Sequence, residues 1–255
     1  MKLLFLAWQN PDSRRWYPVG KLTETDGCFQ FFYVKGAIDA QQDGFCPLPS
    51  FPHLTAVYES SEIFPLFANR LLPRSRPDYH EFLHWLSLPK DEDDPFALLA
   101  RSGGRRVTDT LAVFPCPERD SEGYYHLHFF VHGLSHMTVA ARARTEELQP
   151  GERLLLMADE QNPHDPKARM LRTEGRADGD LHLLGYFPRY LVDDLDHLLA
   201  QLENRSDAAV VRVVRVNSTP APVQFRLLCS VMMRWPDRFR PFSTDQYVAV
   251  ESHLS

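Results

Sequence analysis

Asn162, His164 and Asp165 put three polar side chains into four positions between Pro163 and Pro166, in the stretch QNPHDPKARM that directly follows the apolar run LLLMAD. Such a set can ligate a metal or form an acid/base pair. It can also shape a tight turn, in which Asn and Asp side chains accept hydrogen bonds from nearby backbone N–H groups. His164 itself reads as a solvent-facing loop histidine, with ligand or base as the alternative. The segment YYHLHFFVH offers a second arrangement. With the two-residue period of a strand, His126, His128 and His132 share one face, and Leu127, Phe129 and Val131 the other. Alternate histidines are one way to hold a divalent ion, with Asp165 as a fourth ligand; the competing reading is a solvated, weakly pH-sensitive strand face.

Two further sets have the chemistry of phosphate contacts. In RSGGRR, Arg101, Arg105 and Arg106 flank two glycines, so that backbone N–H groups and guanidinium forks can meet one phosphate; the alternative is a plain turn with solubilising charges. In GYFPR, Arg189 stands just past a strand end, at the start of a long helix whose N–H groups favour an anion, and Tyr186 beside it can stack on a base or sit half-buried. Arg142 and Arg144, at i and i+2 of a helix, fall on different faces and make no single grip.

The elements that position these residues follow from spacing. LLFLAW, WYPVGKL and CFQFFYVKG are short aromatic and β-branched runs separated by turn formers, an antiparallel meander. GFCPLPSFPHL is broken by three prolines into an irregular connection. SSEIFPLFANRLL is expected as a helix capped by its serines, PDYHEFLHWLSL as a second with proline in its first turn, and FALLAR as a third, leading through RSGGRR to the strand LAVFP. PCPERDSEG, residues 115–123, has the composition of a domain boundary. Beyond it come the strand YYHLHFFVHG, the helix TVAARARTEEL, the strand RLLLMAD, a hairpin of ARMLRTE and DLHLLGYF around GRADGD, and two final strands, AAVVRVVRV and VQFRLLCSVMM. The helix RYLVDDLDHLLAQLE carries Leu191, Val192, Leu195, Leu198, Leu199 and Leu202 on one face, with Asp193, Asp194, Asp196 and His197 largely opposite.

Composition narrows the function classes. At 255 residues, two domains of modest size are expected. A net charge of −6 argues against a protein wrapped over its whole surface in nucleic acid and leaves room for a local basic groove. Lysine occurs only at positions 2, 21, 35, 90 and 167, so the cations are mostly arginine, the residue that grips phosphate in bidentate fashion. Cys28, Cys46, Cys116 and Cys229 form no C-x-x-C pair, which fits a reducing, cytoplasmic setting without a zinc knuckle or disulfide framework. The apolar run after Lys2 is too short for a signal peptide, and nothing reads as a membrane span.

VHGLSH, LQPGERLLLMADEQNPHDPKA and LLGYFPRYLVDDLDHLL together resemble the HIRAN domain, through its N-P-x-D turn and G-Y-x-P-R element, over residues 124–235. That resemblance implies a small OB-like β-barrel binding the 3′ end of single-stranded DNA, with Asn162 and Asp165 approaching the terminal nucleotide. Tyr186, Arg189, Lys167 and Phe225 complete the implied nucleic-acid surface, with His136 and Met137. These last two stand where the eukaryotic DNA binders of the family carry a Tyr-Tyr pair; histidine can stack on a base, while methionine offers no π face. VGKL, FYVKG, PLPSFP, FPLFANRLLP and DDPFALLARSGGRRVTDTLAVFP resemble, in order, the N-terminal β-barrel segment of HipA-type toxins, without the kinase lobe.

The expected fold is therefore mainly β with helices (α+β), in two small β-barrel-like domains, the second OB-like. Residues 1–117 form the first, 124–235 the second, and 236–255 a C-terminal tail. The expected function is non-catalytic nucleic-acid binding, with DNA bearing an end or a single strand as partner and no cofactor or metal. The alternatives are a protein-interaction role for the toxin-like segment and a metal-dependent phosphodiesterase built on the histidine strand and Asp165.

Overall fold

The computed structural model describes residues 2–162, 165–175, 181–202 and 208–251. His164 and the GRADGD turn from residue 176 to 180 lie outside them. The chain divides into two units: Met1–His80, Lys90–Cys116 and Arg240–Ser255 make the first, and Glu81–Pro89 with Pro117–Phe239 the second.

In the first unit the meander forms as the spacing predicts. β1 (Lys2–Gln9), β2 (Trp16–Thr25) and β3 (Cys28–Tyr33) pair antiparallel in sequence. α1 (Gly36–Gln42) follows, then β4 (Val57–Ser60), α2 (Pro65–Ala68), α4 (Pro95–Ser102) and β5 (Leu111–Pro115), while α3 (Tyr79–Trp85), between α2 and α4 in the chain, falls from Glu81 onward in the second unit. The sheet order is β4-β3-β2-β1-β5. α1 and β4 carry weak signals in the sequence. Ser60, expected with Ser61 to cap a helix, instead ends β4, and α2 shrinks to one turn behind Phe64, because Pro65 starts it and no side chain caps it.

Strand alternation sends Leu4 and Leu6 to one face, where they join Leu22, Phe31, Phe51, Phe67, Phe96 and Leu99 in a buried cluster, with the Phe31 and Phe51 rings stacked at 4.0 Å. Phe5 points to the other face and meets Phe114, Phe242 and Tyr247 at ring separations of 5.5, 5.1 and 5.1 Å. The last two come from the segment expected as a tail. It is instead a structural part of this unit, bridged to the sheet at Val34–Ala249 and by Val250 N–H donating to Tyr33 O. An aromatic ladder needs covering on both faces, and Phe242 and Tyr247 supply the second cover.

The second unit holds β6 (Tyr124–Phe130), α5 (Val139–Glu147), β7 (Arg153–Ala158), β8 (Arg169–Thr173), β9 (Leu183–Tyr186), α6 (Arg189–Gln201), β10 (Val210–Val216) and β11 (Leu227–Arg234). The sheet order is β6-β11-β10-β7-β8-β9, all antiparallel. A bridge between His132, two residues past β6, and Tyr186 at the end of β9 joins the two outer strands, so the sheet closes into a barrel. Tyr125, Leu127, Phe129, Leu154, Leu171, Val211 and Cys229 fill its interior. Leu191, Val192, Leu195 and Leu198 of α6 are buried, as the leucine stripe predicts, and Asp194 is buried with them rather than facing water. The fold is thus α+β with β dominant. No helix among the described residues is long and apolar enough to cross a membrane.

Candidate functional site

The polar turn after β7 is built from its own side chains. Asp159 N–H donates to Ala168 O, closing the mouth between β7 and β8. Asn162 Nδ2 donates to Asp159 Oδ2 at 3.0 Å, Asp165 N–H donates to Asn162 Oδ1 at 3.1 Å, and Lys167 N–H donates to Asp165 Oδ1 at 3.0 Å. Both Asn162 and Asp165 therefore shape the turn, as short polar side chains do when the chain must reverse between strands.

β9 and α6 bring a second set to the same place. Tyr186 OH donates to Asp159 Oδ2 at 3.0 Å, the oxygen that also accepts from Asn162. Burial, and then the hydrogen bond to the Asp159 carboxylate, raise the Tyr186 phenol above its ordinary range, so it stays a donor there. Arg189, the first residue of α6, sets its Nε 2.6 Å from Asp165 Oδ2 and its Nη1 3.4 Å from Asp193 Oδ1. Lys167 Nζ donates to that same Asp193 oxygen at 2.9 Å. Arg169 holds Asp196 through Nε and Nη2 at 2.9 and 2.6 Å, tying β8 to the second turn of α6.

The glycine of G-Y-x-P-R has a steric cause. Gly185 has φ +146°, and a Cβ there would lie 2.5 Å from His132 O and 2.7 Å from Val131 Cγ1. Only glycine lets the two strands approach closely enough for the reciprocal 2.9 Å bonds of the His132–Tyr186 bridge. Phe187 then turns inward against Phe129, ring centroids 4.6 Å apart, and Pro188 opens α6. The rim thus gathers Asp159, Asn162, Asp165, Lys167, Tyr186, Arg189 and Asp193 from two strand ends, one turn and one helix start.

A family model described as the HIRAN domain matches residues 124–235. Those residues form a HIRAN domain. No curated protein matches the chain. Among solved structures, that of a protein from Lactobacillus plantarum is similar with 18% identity and a TM-score of 0.32, over 44% of this chain and 97% of that one. The HIRAN domain of human HLTF is similar with 18% identity and a TM-score of 0.28, over 46% and 84% respectively.

Within the HIRAN domain the other expected residues fall as follows. His136 is exposed and Met137 half-buried, on the short turn after Gly133, whose backbone lies against the Tyr186 ring. Phe225 is not at a surface. Its ring is buried edge-on to Phe82 at 5.8 Å and Phe130 at 5.1 Å, because a phenyl group beside two others gains more from the core than from water. His126 Nε2 lies 2.7 Å from Asp120 Oδ2, and the Asp120 carboxyl is held low first by the Tyr124 N–H and then by His126. Among the described residues no group of three or more His, Cys, Asp or Glu side chains is arranged to hold a metal. Arg142 bonds Ser135 O, and Arg144 pairs with Glu152.

Arg101, Arg105 and Arg106 belong to the first unit. There Gly103 caps α4, and Gly104 offers its carbonyl, at 2.8 Å, to the buried guanidinium of Arg70, which also grips Asp109 through both oxygens at 3.2 and 2.7 Å. The glycine pair makes a helix end and a seat for Arg70, while Arg105 and Arg106 remain exposed.

Two members of the rim escape the sequence reading. Asp159 reads as the last residue of an apolar run, although a lone carboxylate closing such a run is itself a signal. Asp193 reads as one of several acids on a solvated helix face, and its i,i+4 spacing from Arg189 is the clue to its partner.

Proposed function

We propose that the HIRAN domain binds nucleic acid at the rim, taking the 3′-hydroxyl end of a single DNA strand without chemically altering it. The observation that carries the reading is the convergence of Asn162, Asp165, Lys167, Tyr186 and Arg189, five residues separated in sequence, on one edge of the barrel. Asp165 is about a quarter exposed, and its carboxylate has capacity beyond Lys167 N–H and Arg189 to accept from a terminal hydroxyl. Asp159, Asp165 and Asp193 outnumber Lys167 and Arg189, which favours a hydroxyl over a terminal phosphate at the tip. The two cations, with the N-terminus of α6, suit the next internal phosphate. His136, exposed on the turn that follows Gly133, suits stacking on a base.

Fluorescence anisotropy with labelled oligonucleotides tests this reading: single-stranded DNA, single-stranded RNA of the same sequence and blunt duplex. Tightest binding to the single-stranded DNA supports it, and equal binding of all three contradicts it.

The first unit has its own reading, as a surface for a protein partner, in line with its resemblance to the toxin segment. β4 is a sheet edge, and Val57 on it is 60% exposed, so a partner strand has free backbone and an apolar contact to use. Gel filtration of the complex recovered by pulldown from the native host tests it, and recovery of the chain alone contradicts it.

A further inference from the structure

The outer face of the barrel carries a cationic row that the rim does not use. Arg212 in β10 lies directly opposite Arg153 in β7 and, on its other side, opposite Ser230 in β11, which faces His128 in β6. Residues paired across antiparallel strands share a face. The neighbouring pairs Val211–Leu154 and Cys229–Phe129 are buried, so this row points outward. Arg172 in β8, opposite Leu155, adds a third guanidinium diagonally beside Arg153.

Like charges directly opposite on adjacent strands are unfavourable, yet two arginines occupy such a pair here. Their present partners are thin. Arg212 donates to Gly151 O at 2.8 Å, and Arg153 has Glu174 at 3.6 Å. Arg153 Nε is buried with no hydrogen-bond partner among the described residues. Arg172 Nε meets the sulfur of Met157. In a chain of net charge −6, these three guanidinium groups pair, among the described residues, with the single carboxylate of Glu174, which makes a local site for an anion.

We propose that this row binds the phosphodiester backbone of the strand whose end sits at the rim. The inference rests on the reading of the rim as a nucleic-acid site and extends it to a second, sequence-independent contact. β7 begins at Arg153 and ends at Ala158, one residue before the rim residue Asp159, so the two lie about 20 Å apart at the rise of a strand and one bound strand can reach both. The opposed arginine forks suit one or two phosphates, and Ser230 and His128 add donors along the same line. Continuity with the rim favours nucleic acid over an acidic peptide.

The test uses the full chain and its Arg153→Gln/Arg212→Gln variant, with 3′-hydroxyl DNA oligonucleotides of about 4 and about 16 nucleotides, titrated by anisotropy across a range of salt. The long oligonucleotide is expected to lose on the order of tenfold in affinity, and its salt slope to fall by about 1.4, the value for two phosphate contacts on a single strand. The short one, and any preference for a 3′-hydroxyl, should not change. Arg153→Lys/Arg212→Lys, which keeps the charge, should hold most of the slope, and matched thermal melts show that all variants fold. Loss of slope without any wild-type end preference supports the row while overturning the rim reading. Unchanged long-oligonucleotide affinity and slope overturn the row, as does the absence of oligonucleotide binding by the wild type. Equal competition by polyglutamate overturns the choice of phosphodiester.

Discussion

Arg189 Nε lies 2.6 Å from Asp165 Oδ2, so the carboxylate proposed to receive a strand end is already paired with a cation from the start of α6. Both side chains are partly exposed, and such a pair contributes about 1 kcal/mol or less to stability. Its greater consequence is orientation: one Asp165 oxygen serves Lys167 N–H, the other Arg189, and the carboxylate plane is fixed between them.

Asp165→Asn separates turn from clamp. Asparagine keeps an oxygen for Lys167 N–H and loses the charged acceptor. Stability is expected to fall by no more than about 1 kcal/mol, while binding of a 3′-hydroxyl strand weakens by about 1.5–3 kcal/mol. Urea denaturation and anisotropy on the same variant measure the two. A shift in denaturation midpoint with unchanged affinity assigns Asp165 to the turn alone.

Arg189→Ala removes the cation and leaves Asp165 without its α6 partner. Binding is expected to weaken and the salt slope to fall by about 0.7, one phosphate contact on a single strand. A slope equal to that of the wild type takes Arg189 out of the interface.

Gly185→Ala forces a Cβ to 2.5 Å from His132 O at a φ of +146°. Either the bridge opens or the backbone shifts, and a cost of about 2 kcal/mol or more is expected, as for other strained backbone substitutions. Chemical denaturation measures it; a loss within error shows that the closure is not needed to hold the barrel.

Much of this was legible in the sequence where one pattern served one purpose. The alternation of Tyr125, Leu127 and Phe129 against His126 and His128 places β6 correctly, and the stripe from Leu191 to Leu198 places α6. The N-P-x-D turn and G-Y-x-P-R element also lead to the residues that meet at the rim. What the sequence hides is decided by distant partners. Phe225 looks available for stacking until Phe82 and Phe130 enclose it, and residues 240–251 look like a tail until Phe5 needs a second aromatic cover. The glycines of RSGGRR read as a phosphate loop because Arg70, more than thirty residues earlier, gives no local sign that it will fill the seat.

Arg70→Met tests that seat. Its side chain is 1% exposed and its guanidinium satisfies both Asp109 and the Gly104 carbonyl, so removing it strands a carboxylate and a carbonyl together. A loss of about 3 kcal/mol is expected, at the low end for a buried pair because Asp109 is partly solvated. Thermal or urea unfolding followed through the first unit's tryptophans, Trp8 and Trp16, reads it; an unchanged midpoint shows that the loop is held by other contacts.

If the rim reads a 3′-hydroxyl end, two oligonucleotides that differ only there must compete unequally for it. One ends in a 3′-hydroxyl and the other in a 3′-phosphate, at the same length, sequence and salt. Asp159, Asp165 and Asp193 should repel the added charge, so the hydroxyl form is expected to bind at least about tenfold more tightly, the equivalent of about 1.4 kcal/mol. Equal affinity for the two ends would show that the rim does not read the 3′-hydroxyl.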